Sequence, residues 1–204
     1  DALLKNEIDL AVHSMKDMPA EVAEGLKISI YPKREDPRDA FVSLGYSTLQ
    51  DLPNGARVGT SSLRRSAQLL RLRPDFTIVP LRGNVDTRLK KLETEDLQAV
   101  ILAAAGLNRL GLKKRITQIL EPDLILPAIG QGALGIEIKE NDQKLDDLLG
   151  FLNHKQTETM VRAERAFLKK MEGGCQVPLA AYGRVMGEEI LLEGFVSELD
   201  GTRV

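Results

Sequence analysis

Short apolar runs rich in β-branched residues alternate with stretches of helical period along most of this chain, and that alternation limits its fold more than any other feature. Strands are expected at Ile8–His13, Lys27–Tyr31, Ala40–Ser43, Arg57–Thr60, Thr77–Leu81, Ala99–Ala103 and Ala133–Lys139. Helices are expected at Ser62–Leu72, Asn84–Thr94, Gln143–Leu152 and Gln156–Met171, with a short one near Lys113–Ile119. Ala2, Leu3, Leu4 and Ile8 add an amphipathic helical pattern at the start. Strands and helices in alternation imply an α/β architecture with a largely parallel sheet. The last stretch departs from this. Leu179–Val185 and Glu189–Val196, joined at Met186-Gly187-Glu188, form the pattern of an antiparallel hairpin, so a small α+β lobe is expected from about Asn153.

Two irregular segments divide the chain. Tyr31-Pro32-Lys33-Arg34-Glu35-Asp36-Pro37-Arg38 is charged and holds two prolines, while Leu126-Pro127-Ala128-Ile129-Gly130-Gln131-Gly132 is rich in Pro and Gly. Read as crossovers, they give a first lobe from 1–32 and 133–152, a second from 38–127 and a third from 153–204. A cleft between the first two, at the carboxyl ends of parallel strands, is the expected ligand site. The chain opens at Asp1 inside a helical pattern and stops where a strand begins, as a fragment would.

The chain has 43% hydrophobic and 28% charged residues, ordinary values for a folded protein. No apolar run approaches a membrane span and no leader pattern opens the chain, so no membrane partner is expected. A single cysteine permits no internal disulfide, which suits the cytoplasm, or a plastid stroma for a plant protein. The net charge of −2 conceals a basic zone. Arg57, Arg64, Arg65, Arg71, Arg73, Arg82, Arg88, Lys90 and Lys91 are opposed only by Asp75 and Asp86, a local excess of about seven positive charges. An anionic ligand is indicated. Nucleic acid is disfavoured, because aromatics are only 4% and no stacking motif accompanies the basic residues.

Val58-Gly59-Thr60-Ser61-Ser62-Leu63-Arg64-Arg65 reads as a strand, a tight turn and a helix start. Free N–H groups of a first helical turn attract anions, and Arg64 and Arg65 add donors suited to carboxylates. A plain N-cap ahead of a solvated basic face would use the same residues. Pro80-Leu81-Arg82-Gly83-Asn84-Val85-Asp86-Thr87-Arg88 repeats the design. If the two strands are parallel neighbours, both arginine sets gather at one sheet edge, and a ligand with several carboxylates is expected. Neither the phosphate-loop nor the dinucleotide pattern is present.

Asp9-Leu10-Ala11-Val12-His13-Ser14-Met15-Lys16-Asp17-Met18-Pro19 reads as a buried strand ending in a polar cluster. His13 has only His154 for company, so it is read as a satisfied strand-end histidine, and no metal is expected. His13 and Ser14 point to opposite sides of an extended strand, which argues against a serine nucleophile. Asp17 is the residue suited to stabilise a cationic intermediate; its alternative is an ion pair with Lys16 or an arginine. Gly173-Gly174-Cys175-Gln176-Val177-Pro178 places the lone thiol beside two flexible glycines, after a helix rich in Lys and Arg. By composition alone an ordinary buried cysteine is the simpler reading.

These segments occur together in one family. Ala11–Asp17, Arg34–Phe41, Gly59–Arg65, Leu81–Leu89, Leu126–Ala133 and Glu172–Pro178 resemble, in order and over essentially the whole chain, segments of the hydroxymethylbilane synthase (porphobilinogen deaminase) family. The resemblance implies two lobes similar to the type II periplasmic binding fold plus a small third lobe. It implies a dipyrromethane cofactor joined to Cys175 by a thioether, and a transferase of haem and other tetrapyrrole biosynthesis. That transferase condenses four porphobilinogen units, with loss of ammonia, into linear hydroxymethylbilane. Asp17 is then the catalytic carboxylate. Ser14, Lys16, Thr60, Ser61, Ser62, Arg64, Arg65, Arg82 and Arg88 are carboxylate ligands, Gly83, Asn84 and Gln131 line the same site, and Arg34 is a contact on the hinge side. A monomer is expected, with residues before and after this chain completing lobes one and three. A non-enzymatic anion-binding module would also use the arginines, but it gives Asp17 and the Gly-Gly-Cys segment no role.

Overall fold

A computed structural model of the chain describes residues 2–171 and 177–203. The first stretch holds strands β1 (Ala11–Ser14) and β2 (Leu26–Ile30). Next come β3 (Asp39–Val42), β4 (Arg57–Gly59), α1 (Leu63–Leu72), β5 (Thr77–Val79), α2 (Val85–Thr94), β6 (Ala99–Ala103), α3 (Ala104–Arg109) and β7 (Gln118–Leu120). The chain continues with β8 (Leu134–Lys139), α4 (Gln143–Leu149), α5 (Lys155–Lys170), β9 (Leu179–Met186) and β10 (Glu189–Val196). No helix among the described residues is long and apolar enough to cross a membrane.

Two compact units result. One comprises Asp1–Glu35, Ala128–Gly173 and Ala181–Glu193; the other comprises Asp36–Pro127, Gly174–Ala180 and Gly194–Val204. In the first unit the sheet order is β1-β8-β2, antiparallel throughout. One face packs Met15, Ile28, Tyr31 and Ala133 against Val161 of α5, and the other packs Ile30, Ile136 and Ile138 against Leu145 and Leu149 of α4. A register irregularity between Ile28 and Ile30 sends these two residues to opposite layers, although an unbroken strand would keep them on one. α5 packs in this unit together with most of the hairpin, Ala181–Glu193.

In the second unit the order is β5-β4-β6-β3-β7. Strands β5, β4 and β6 are parallel, whereas β3 runs antiparallel to both β6 and β7. Phe41, Val58, Leu69 and Ile101 fill the layer under α1, and Val42, Leu89, Leu92, Val100 and Leu102 fill the layer under α2. Neighbouring residues of β3 and β6 thus alternate between two buried faces, and these strands read as continuous apolar runs. Truncating Leu69 or Ile101, both essentially inaccessible, to Ala would cost about 2–5 kcal/mol.

Several expectations need correction. The sheets are antiparallel and mixed rather than largely parallel, because strand direction follows from which distant segment pairs with which: Val12 faces Ile136, and Phe41 faces both Ile101 and Gln118. No helix forms at the start; Asn6 adopts a left-handed conformation (φ 59°), which breaks a helix, and the segment is a series of turns. The first strand begins three residues later than expected and is half-exposed, with Val12 58% accessible. The stretch from Lys113 is a single 3-10 turn at Lys113–Arg115 followed by β7, since Ile116, Thr117 and Ile119 favour extended structure. Helix α3 was not expected from its Ala-Ala-Gly-Leu sequence.

Candidate carboxylate-binding and catalytic residues

The two arginine segments lie side by side. Strands β4 and β5 are parallel neighbours with Gly59 opposite Val79, so both following turns leave the same end of the sheet. The backbone N–H of Thr60 donates to Val79 O (2.9 Å), and that of Leu81 donates to the Ser61 hydroxyl (2.7 Å). These bonds tie one turn to the other. Each turn then caps its helix. Ser62 Oγ accepts from Arg65 N (3.4 Å) at the start of α1, and Asn84 Oδ1 accepts from Thr87 N (2.9 Å) and the Thr87 hydroxyl (2.8 Å) at the start of α2. Thr60 Oγ1 accepts from Ser62 N (3.2 Å). Gly83 has φ +113°, and a Cβ there would lie 2.7 Å from Thr87 Cγ2; no side chain fits.

The arginines divide into two kinds. Arg64 and Arg65 are buried and share one acid, Asp39, at the start of β3. Arg64 Nη1 donates to Asp39 Oδ2 (2.8 Å) and to Leu126 O (2.6 Å). Arg65 donates to Asp39 Oδ1 through Nη2 (2.7 Å) and Nε (3.1 Å), and to Ile101 O through Nη1 (3.1 Å). Burial opposes ionisation of Asp39, but the two guanidiniums overcome it and hold the carboxyl well below the usual range. Arg64 is itself pulled down by burial, with Asp39 opposing and Arg65 adding repulsion. Its Nε is buried with no protein partner among the described residues.

Arg82 is exposed; Arg88 is half-buried and, among the described residues, donates only Nε, to Gly83 O (2.8 Å). Burial, then repulsion from Arg65, lowers the Arg88 pKa. In this group Arg64, Arg65 and Arg88 outnumber Asp39, but elsewhere in the basic zone Arg57, Arg73 and Lys91 pair with Asp96, Asp75 and Glu95, so the excess is smaller than the residue count implies.

In the first unit, β1 runs into a 3-10 turn at Met15–Asp17. Met15 is buried beneath it, while Lys16 and Asp17 are exposed and Ser14 is partly so. The Asp17 carboxylate makes no ion pair or hydrogen bond among the described residues. His13 pairs with Glu137 across the strands (2.9 Å), and His154 caps α5 through Thr157. Gln131 is buried. Arg34, expected to meet ligand, is held within the protein: it donates to both oxygens of Glu164 (2.6 and 3.1 Å) and to Gln131 O (2.9 Å). Cys175 lies outside the described residues.

Asp39, Glu164 and Gln68 were not anticipated. Gln68 receives Leu126 N (2.7 Å) and returns a bond to Leu126 O (3.1 Å), fixing the end of the second crossover. The available signal for Asp39 was its place at the head of an otherwise apolar strand. For Glu164 it was a charge on the same face of α5 as Val161.

Comparison with known proteins identifies the family. Residues 1–147 match the family model described as "Porphobilinogen deaminase, dipyromethane cofactor binding domain", and residues 158–204 match "Porphobilinogen deaminase, C-terminal domain". A porphobilinogen deaminase of Geobacter metallireducens is 57% identical over 100% of this chain and 64% of its own length. Another from Geobacter sp. (strain M21) is 58% identical over 98% of this chain and 63% of its own. The chain thus spans a little under two thirds of the relatives it matches. Among solved structures, a putative methionine-binding lipoprotein of Bacillus subtilis aligns with a TM-score of 0.50 at 16% identity, over 84% of this chain and 78% of that one. That likeness concerns the fold alone, the type II periplasmic binding arrangement expected from the sequence. The chain belongs to the porphobilinogen deaminase family.

Proposed function

We propose that this chain carries the chemistry of a hydroxymethylbilane synthase, a transferase that joins four porphobilinogen units, with loss of ammonia, into a linear tetrapyrrole. The observation that carries this reading is the Arg64–Arg65–Arg88 group, whose charge exceeds the single carboxylate of Asp39 and whose Arg64 Nε has no protein partner among the described residues. A dipyrromethane bears four carboxylates; the open donors of Arg82 and Arg88 suit them, and the buried charge of Arg64 and Arg65 adds a positive field, while the family match over 1–147 supports the same group. When bound, that cofactor supplies the pyrrole carbon to which the first substrate unit is joined.

The work of the protein's own residues follows from their chemistry. Arg82 and Arg88, with open donors, bind acetate and propionate side chains. Thr60, Ser61, Ser62, Gly83 and Asn84 contribute hydroxyl and backbone donors at the two helix starts. Arg64 and Arg65 act as a buried positive field whose orientation Asp39 fixes. In the first unit Asp17 supplies the negative charge that stabilises a pyrrole becoming cationic as ammonia departs. Ser14, Lys16 and Gln131 bind neighbouring polar groups, and Cys175 holds the cofactor through a thioether. We further propose a third lobe over 153–204, a monomer, no nucleic-acid partner, and action in the cytoplasm.

Peptide mass mapping of active protein, at the full length of its relatives, tests the reading. The Cys175 peptide should carry a two-pyrrole adduct that survives denaturation and dithiothreitol. An unmodified Cys175 in active enzyme overturns it.

A further inference from the structure

The first unit contains a buried carboxylate that the proposed chemistry leaves unused. Glu164, in α5, is 0% exposed. Oε1 accepts from Arg34 Nη1 (2.6 Å) and the backbone N–H of Gly183 (2.9 Å). Oε2 accepts from Arg34 Nη2 (3.1 Å) and the backbone N–H of Gly130 (2.7 Å). Four donors on two oxygens satisfy a charge that would otherwise be strongly penalised inside the protein. They also leave the carboxylate little freedom, so the groups it binds are held in one arrangement.

Gly130 links this carboxylate to the Met15–Asp17 turn. It has φ +70°, and a Cβ there would lie 2.8 Å from Met15 Cβ, 2.9 Å from the Met15 carbonyl carbon and 3.1 Å from Lys16 N. Its Cα therefore abuts the Met15–Lys16 peptide, while its N–H is fixed by Glu164. Two backbone bonds close the unit: Ala133 N donates to Gly130 O (3.1 Å), and Met15 N donates to Ala133 O (3.0 Å). Asp17 is the next residue but one after Met15.

We propose that Glu164 is a positioning residue: through Gly130 it sets the backbone of the Met15–Asp17 turn, and thereby the direction in which Asp17 presents its carboxylate. The kinetic consequence rests on the reading of Asp17 as the catalytic carboxylate, whereas the backbone coupling does not. A clamp serving stability alone would lower the unfolding midpoint without loosening this turn selectively.

Glu164→Gln and Gly130→Ala, made in the enzyme at the full length of its relatives, test the proposal by hydrogen exchange and steady-state kinetics. The Gln side chain must turn its NH2 towards one pair of donors. The Ala methyl has no room against Met15, yet it leaves the Arg34–Glu164 pair in place. In both variants the amides of Met15–Met18 should exchange at least about tenfold faster while those of α1 are unchanged. Turnover should fall about tenfold or more, with KM for porphobilinogen within about threefold of wild type. Unchanged exchange at Met15–Met18 in either folded variant overturns the proposal. If Glu164→Gln does not fold, Gly130→Ala decides alone on the same criterion. Full activity in Asp17→Ala would sink the catalytic reading and leave the exchange result to be judged by itself.

Discussion

Asp39 and Arg64 form an ion pair at 2.8 Å in which neither side chain is more than 5% exposed, and Arg65 joins the same carboxylate from its other oxygen. Removing the acid takes from two buried guanidiniums the carboxylate they share, and breaking such a buried pair costs about 3–5 kcal/mol. Asp39→Asn should lower stability by that amount in urea unfolding. The sign of its pH dependence follows from the depressed pKa. The contribution is whole above the ordinary carboxyl value of 3.8 and is lost as pH falls through the lower folded value. The gap between wild type and Asp39→Asn should therefore hold steady from neutral pH to about pH 5 and narrow under stronger acid.

The two kinds of arginine should separate experimentally. Arg82→Ala should weaken binding of a linear oligopyrrole by about tenfold while leaving the melting temperature nearly unchanged, because the side chain is exposed and supports no core contact. Arg65→Ala should lower both, since it removes three hydrogen bonds that join α1 to β3 and β6. Calorimetric titration beside thermal melts gives both quantities. Equal melting losses in the two variants would contradict the division.

Asp17→Ala should fold normally, as the side chain is exposed and makes no ion pair or hydrogen bond among the described residues. It should nevertheless lose on the order of a hundredfold or more in porphobilinogen consumption, the usual effect of removing a charge aimed at a transition state. Near wild-type turnover would remove Asp17 from the mechanism.

Gly83→Ala probes the second helix start. Its backbone lies in the left-handed region, and the added methyl would meet Thr87 Cγ2 at 2.7 Å. The Asn84 cap on Thr87 is disturbed with it, so a destabilisation of about 1–3 kcal/mol is expected, together with weaker oligopyrrole binding. A fully stable variant with unchanged binding would show that this turn tolerates a side chain.

Much of this was legible in the residues. The strand–turn–helix segments at Val58–Arg65 and Pro80–Arg88 formed with their N-caps at Ser62 and Asn84, because caps, glycine turns and apolar runs are local chemistry. The α/β class and the basic excess were legible for the same reason. Strand direction was not, since β1 and β8 meet across more than a hundred residues and no local pattern records that partnership. Nor was the fate of individual charges. Arg34, Arg64 and Arg65 resemble the exposed Arg82 in sequence, yet the fold buries all three against Glu164 and Asp39, side chains contributed by other segments. Sequence by itself determined the kinds of elements and the sign of the charge gathered at the ends of β4 and β5. Only the tertiary structure decided which arginines keep their donors open to solvent and which spend them on buried carboxylates, because desolvation depends on what distant chain packs around a charge.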